Sequence, residues 1–535
     1  MTVRIEIDAG DLQPAIDARL ATWNDEAFAT RLWDRDPTLW FDPPREEISN
    51  RLGWLAPGGR DGLGPIEAFA SEANAEGLTD VVLLGMGGSS LAPEVFSAVF
   101  SDTGGATLTV LDSTHPGSVR RVADAVDPST TLFIVASKSG TTLETLSFFR
   151  YLWSRVSASV DEPGSRFVAI TDPGSSLAEL GEERGFRAVF LAPSDVGGRF
   201  SALIEFGLVP AALIGVDVGR LLAATDAAAF ACGPDVAADE NPALRLGAAL
   251  GEFALAGRDK VVFQPQTQFA AFPAWIEQLI AESLGKEGNG ILPVADGSSA
   301  PADDRLPFTI GIGDPASREQ PSIAMSLDDT YDLGAAMYIL EMATAAAGAV
   351  LGVHPFDQPD VQLAKSLAHT AMTEGLDGFD VHEWPLGSEE TVRDLTELFS
   401  GAGPGTYVAL QAYLEPTLAT MQRMNAIADV VADGTGSVVT IGYGPRFLHS
   451  TGQLHKGGPA GGVFLQIVDR PTDDLEVPEA DYTFGHRITA QSYGDQAALR
   501  DRGRAVGMVN LGAVGAADLP RLEDAISTAL ARSHL

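Results

Sequence analysis

Ser137-Lys-Ser-Gly-Thr-Thr-Leu-Glu-Thr145 follows the apolar, β-branched run Thr131-Leu-Phe-Ile-Val-Ala136 and leads into Leu143-Glu-Thr-Leu-Ser-Phe-Phe-Arg150. The first flank reads as a strand buried on both faces and the second as a helix, so the nonapeptide is a strand-to-helix turn. Such a turn aims unpaired backbone N–H groups and the positive end of a helix at one point. Ser137, Ser139, Thr141 and Thr142 gather hydroxyl donors there around a single lysine, Lys138, and together they form a seat for a phosphate monoester. Taken alone, such a turn is better read as an ordinary Ser/Thr-capped helix start. The rest of the chain decides between the two.

On either side of the turn, Val81-Val-Leu-Leu-Gly85, Thr107-Leu-Thr-Val-Leu111, Phe167-Val-Ala-Ile-Thr171 and Ala188-Val-Phe-Leu191 are further short apolar runs separated by helix-length segments. This alternation implies an α/β fold with a parallel sheet and helices on both faces, and places functional groups at the carboxyl ends of the strands. Gly85-Met-Gly-Gly-Ser-Ser90, Asp172-Pro-Gly-Ser-Ser176 and Asp195-Val-Gly-Gly-Arg-Phe-Ser201 occupy such positions. The first is not a dinucleotide fingerprint: its sixth position is Ser90, and Asp112 is followed by Ser-Thr-His-Pro. Its small residues Gly87, Gly88 and Ser89 let a sugar approach the backbone. There is no GxxxxGK[ST] loop.

A second unit begins near residue 241. In Pro273-Ala-Trp-Ile-Glu-Gln-Leu-Ile-Ala-Glu-Ser283, Gln278 and Glu282 lie four apart on one helix face beside Trp275 and Leu279. A carboxylate on an apolar border is a candidate general base, although amphipathic helices commonly carry a Glu there. Leu306-Pro-Phe-Thr-Ile-Gly-Ile-Gly313 reads as a strand, 334–351 as an Ala-rich helix, and Gln358 and Lys365 share a helix face seven apart. Three more buried strands are expected in 436–444, 462–468 and 506–512, completing a second sheet. The loop His449-Ser-Thr-Gly-Gln-Leu-His-Lys-Gly-Gly-Pro459 has two histidines but no carboxylate-rich ligand set nearby, so it reads as solvated rather than metal-binding. The organisation expected is an N-terminal helical wrap (1–65), a first domain (66–240) and a second with a C-terminal extension (241–535).

Composition sets limits. The chain has 535 residues, 45% of them hydrophobic, and a net charge of −38, which disfavours nucleic acid or an anionic membrane as partner. An anionic metabolite can still bind where cations are concentrated. Of only five lysines, Lys138, Lys365 and Lys456 fall in the stretches above; Lys260 and Lys286 read as solvated surface. The N-terminus has no apolar signal region, and the apolar run 336–353 contains Glu341 and Thr344, so a buried core helix fits better than a membrane span. Cys232 is the only cysteine, which fits a cytoplasmic enzyme without disulfides.

Together Gly85-Met-Gly-Gly-Ser89, Ser137 to Thr145, Gly197-Gly-Arg-Phe-Ser201, Gln278-Leu-Ile-Ala-Glu-Ser283 and Phe356-Asp-Gln-Pro-Asp-Val-Gln-Leu-Ala-Lys365 resemble the phosphoglucose isomerase family, nearest to the isomerase part of bacterial transaldolase fusions. The resemblance implies two SIS-type doubly wound, mainly parallel sheets flanked by helices, a homodimer, a sugar phosphate substrate, and neither metal nor cofactor. It implies that Ser137, Lys138, Ser139 and Thr142 hold the phosphate. Gly88, Ser89, Gly198, Gln278 and Gln358 would hold the sugar, and Glu282 would move a proton between C1 and C2. Arg199 would stabilise the cis-enediolate, and Lys365 with a histidine would open the ring. His455 is the expected histidine and His354 its substitute; the family supplies this group from the neighbouring subunit. The activity implied is isomerisation of glucose 6-phosphate to fructose 6-phosphate, with a dual phosphoglucose/phosphomannose isomerase or a non-catalytic SIS sugar-phosphate sensor as alternatives. Nothing provides a transaldolase barrel.

Overall fold

The structure is a computed structural model that describes residues 2–57, 62–299, 302–315 and 321–533. Its strands are β1 (Val3–Asp8), β2 (Asp80–Leu84), β3 (Thr107–Leu111), β4 (Thr131–Ala136), β5 (Phe167–Thr171), β6 (Ala188–Leu191), β7 (Lys260–Pro265), β8 (Leu292–Val294), β9 (Gly297–Ser298), β10 (Arg305–Ile312), β11 (Ser322–Leu327), β12 (Glu383–Pro385), β13 (Tyr407–Tyr413), β14 (Val438–Tyr443), β15 (Gly462–Val468) and β16 (Ala505–Asn510).

The first sheet, β3-β2-β4-β5-β6, is parallel throughout. Its central strands β4 and β5 are buried at every position because successive side chains enter two different cores. Leu132, Ile134 and Ile170 join one cluster, and Phe133, Val135 and Ala169 the other. The second sheet, β1-β11-β10-β7-β8, is parallel except for β1, which runs antiparallel to β11. Its β10 and β11 share a core with the first sheet through Phe308, Ile310 and Met325.

Residues 241–535, expected to complete one further sheet, build two. The third sheet, β12-β16-β15-β13-β14-β9, is parallel apart from β9. It exists separately because β13–β16 pack on a core of their own, with Leu395, Leu410, Ile427, Leu465 and Ile526 at its heart. The α/β class with parallel sheets flanked by helices is as expected.

The N-terminal wrap needs a correction too. Residues 3–8, expected to be helical or irregular, form β1: Val3 and Ile5 are buried and Arg4 and Glu6 exposed, the alternation of a half-buried edge strand. Residues 1 and 58–61 of the wrap lie outside the described residues. The Ala-rich helix spans Leu333–Leu351 and carries the one window among the described residues long and apolar enough to cross a membrane. That window is 89% buried inside the protein, so it is a core helix. Glu341 lies in it, and burial pushes its carboxyl well above the usual range.

Candidate active site

The carboxyl ends of the first-sheet strands meet the 272–284 and 359–374 helices around a cavity of about 340 Å³. Gly88, Ser89, Lys138, Ser139, Thr142, Gly198, Arg199, Gln278, Glu282, Gln358 and Lys365 all line it, so eleven of the thirteen expected residues converge. The two that do not are Ser137 and His455.

Gly87 and Gly88 serve a purpose other than the expected approach of a sugar to the backbone. Gly87 has φ +54, and a Cβ on it would lie 2.6 Å from the His449 carbonyl oxygen. A Cβ on Gly88 would lie 2.1 Å from the Gly198 carbonyl oxygen. Gly88 lets the loop after β2 touch the turn carrying Arg199 backbone to backbone, and Gly87 lets it approach the His449 backbone.

In the Ser137–Thr145 turn the plain capping reading fails. Thr142 stands at the N-cap of the Leu143–Ser157 helix, yet its side chain accepts no cap hydrogen bond. Ser137 is buried behind the turn, and its hydroxyl donates to the Thr142 hydroxyl at 2.9 Å. Ser137 thus orients Thr142, while Ser139 and Thr142 face the cavity. Lys138 bonds both carboxylate oxygens of Asp172, at 2.7 and 2.6 Å, which ties it to the rim.

Glu282 is 6% exposed and held at both oxygens. Arg199 Nη1 is 3.1 Å from Oε1, and Gln278 Nε2 donates to Oε2 at 3.0 Å. Arg199, itself 3% exposed, also donates to Ser283 Oγ at 2.7 Å and to the Asp357 carbonyl at 3.1 Å. Lys286, read from sequence as solvated surface, is buried beside it: Nζ donates to the His354 carbonyl, to the Asp357 carbonyl at 2.6 Å and to the Asp357 carboxylate at 2.8 Å. Burial, and after it the neighbouring Arg199, pull its pKa down to about 7. Two buried cations therefore pin the 354–357 loop that presents Gln358.

The histidines are reassigned. His455 is 3% exposed, wedged among Tyr407, Phe447 and Phe464, with Nδ1 3.2 Å from Gln411 Nε2. Burial, then Lys456 and Arg504, hold its pKa well below 6.5, so it is a neutral core residue and not a site residue. His354 is buried as well. Its Nδ1 accepts from the Phe356 and Asp357 N–H groups at 3.1 and 3.2 Å, which puts the ring proton on Nε2, donated to the Glu46 carbonyl at 2.7 Å. It shapes the loop and has no nitrogen left for substrate.

Two histidines reach the cleft: His369 lines only its side lobe, and His449 reaches the main cavity. It lines the main cavity and an adjoining lobe of about 280 Å³, which share Ser139, Thr142, Val361, Gln362 and Lys365. Its Nε2 is 3.3 Å from Glu144 Oε1. Burial pushes the Glu144 carboxyl up, but Arg487 at 3.1 Å and His449 outweigh it and hold it well below the usual range. Glu144 is a fixed anion that orients His449. Arg51, Glu47 and Asp172 also line the cavity; the first two lie in the irregular N-terminal segment, where no motif marks them.

Residues 69–297 match the family model described as phosphoglucose isomerase. The chain is 29% identical over 415 residues to a glucose-6-phosphate isomerase of Rubrobacter xylanophilus, covering 65% of this chain and 93% of that protein. It is 32% identical over 301 residues to one of Heliobacterium modesticaldum, covering 45% and 66%. A hypothetical protein of Thermus thermophilus superposes with a TM-score of 0.59 at 26% identity, over 69% of this chain and all of that one. A glucose-6-phosphate isomerase of Chlamydia trachomatis shares the fold with a TM-score of 0.56 at 20% identity, over 69% and 88%.

The cavity sets a hydroxyl-lined turn at the end of a parallel strand opposite a buried carboxylate and guanidinium. Residues 69–297 are a phosphoglucose isomerase domain by the family model, and the relatives named glucose-6-phosphate isomerase are consistent with a phosphoglucose isomerase.

Proposed function

We propose that the chain interconverts D-glucose 6-phosphate and D-fructose 6-phosphate, with Ser139, Thr142 and the backbone of their turn gripping the phosphate. Lys365 and His449 serve ring opening: one gives a proton to the ring oxygen as the other takes the proton of the anomeric hydroxyl. Glu282 then removes the C2 proton as the C1 carbonyl becomes an enediolate. Returning that proton to C1 leaves the C2 carbonyl of the ketose. The enediolate charge exists only around the transition state, and the Arg199 guanidinium, already 3.1 Å from Glu282, is placed to meet it. Gln278 and Gln358 hold hydroxyls. The observation that carries this reading is the convergence of Glu282, Arg199, Lys365 and the phosphate turn on one cavity.

The proposal includes a cytoplasmic setting and a homodimer, and excludes nucleic acid and membrane as partners because of the net charge of −38. A coupled assay offering glucose 6-phosphate, fructose 6-phosphate and mannose 6-phosphate tests the function. Turnover of the first two is expected, and the third reports how strictly C2 stereochemistry is read. No turnover of glucose 6-phosphate would refute the proposal.

A further inference from the structure

Residues 380–533 form the third sheet apart from β9, with its helices, and this unit docks onto the first sheet's domain at the place where the catalytic histidine is needed. Arg446, at the head of the Arg446–His449 turn, forms ion pairs with Glu94 and with Asp112, the latter at 3.1 Å. Gln278, from the helix that carries Glu282, donates to the His449 carbonyl at 2.7 Å. Every side chain bonded to the Glu144 carboxylate comes from the same unit: His449 at 3.3 Å, Gln491 at 2.6 Å and Arg487 at 3.1 Å.

The dock extends well beyond the cleft. Phe484 stacks on Phe148 and, with Val477, enters the apolar cluster of β4 and β5. His115 meets Asp469 at 3.3 Å, and Thr114 donates to Gln491 at 2.9 Å. His449 and Glu144 are 12% and 8% exposed in their side chains, and Arg487 6%, so the Glu144 carboxylate is already engaged by groups of its own chain.

We infer that residues 380–533 act as a built-in partner that completes the active site in cis, so that one chain is catalytically competent without a second copy. The inference rests on the isomerase reading above. It leaves homodimerisation open as an assembly but removes it as a requirement for chemistry. Arg446 is then a positioning residue, since it fixes the turn that presents His449.

Two defective variants provide the test. Glu282→Gln lacks the base and His449→Gln lacks the ring-opening histidine; they are co-expressed with different affinity tags and purified through both. If His449 acted in trans, each mixed dimer would regain one complete site of two, and the doubly purified species would show about one half of wild-type turnover. Cis completion predicts that the doubly purified species has no more activity than its two parents, and regain of activity would overturn it. Where the tags do not co-purify, the chain is a monomer, and its turnover as such supports the inference directly. As a second measurement, wild-type turnover per chain is followed on dilution while mass photometry reports assembly. A constant rate into the single-chain range is expected, and loss of rate on dissociation would overturn the inference. No wild-type turnover at any concentration would remove the underlying reaction and the inference with it. It is told from a failure of cis completion because the unmixed wild type is then silent.

Discussion

Replacing Gly88 by Ala tests whether the site depends on the two loops touching. The added Cβ would lie 2.1 Å from the Gly198 carbonyl oxygen, 2.3 Å from its carbon and 3.0 Å from the Arg199 nitrogen. Non-bonded carbon atoms sit ~3.5 Å apart at their optimum, so the loops must separate by roughly 1 Å. Arg199 rides on the displaced turn, and its 3.1 Å approach to Glu282 and 2.7 Å bond to Ser283 cannot both survive that shift. A misplacement of that size costs ~10²-fold in rate, or about 2.7 kcal/mol of transition-state stabilisation. The phosphate turn lies on a different strand and is untouched, so KM should change far less than kcat. Initial rates with glucose 6-phosphate, read through a linked dehydrogenase, measure the effect, and a thermal melt checks the fold. A folded Gly88→Ala protein with wild-type kcat would refute the idea that this contact sets Arg199.

Three further predictions follow from buried titratable groups. Burial, then Asp296, push the Glu277 carboxyl up to about 8. The folded state therefore holds this proton where the unfolded chain, titrating near 4.5, has released it, and stability falls as pH rises through that window by up to ~1.4 kcal/mol per unit. Glu277→Gln should flatten the decline, as read by denaturant titrations at several pH values; an unchanged slope would contradict this. Lys286, with its pKa depressed to about 7, binds its proton less tightly when folded, so its contribution to stability grows as pH rises from about 7 to the ordinary lysine value of 10.5. Lys286→Met should free the loop bearing Gln358 and raise KM by ~10-fold with a smaller loss of kcat, the mark of weakened substrate binding; wild-type KM would argue against that role. His449→Gln should lose ~10²-fold in turnover, the scale of a positioned acid or base, while His455→Gln keeps turnover and loses stability. The reverse pattern in paired rate and melting measurements would restore His455 to the site.

The first sheet was readable because each strand is a short, mostly apolar run, and β2, β4 and β5 end in motifs rich in small or hydroxyl residues. β13 escaped notice because Gln411 interrupts Tyr407–Tyr413. That glutamine lies on the face where Gln466 donates to it at 3.2 Å, a buried polar network invisible to a hydropathy pattern. β1 alternates V-R-I-E-I-D over only six residues, and its partner β11 lies more than 300 positions away. Within the site, Glu282, Arg199, Gln278 and the phosphate turn were found because each sits in a local motif. His449 was missed because its role comes from a contact with Glu144, 305 residues distant, and nothing local separates it from His455 six positions on. Lys286 stood out as one of five lysines, but only the packing of the 354–357 loop over it reveals that it is buried.

The account turns on one proton carried by Glu282 between neighbouring carbons. Incubating the wild-type chain with glucose 6-phosphate in D₂O and following the pool by NMR reads that step directly. Deuterium should enter at C2 of the aldose and C1 of the ketose as the two equilibrate, and Glu282→Gln should slow both by ~10²-fold or more. Exchange and isomerisation in Glu282→Gln at wild-type rates would contradict the account.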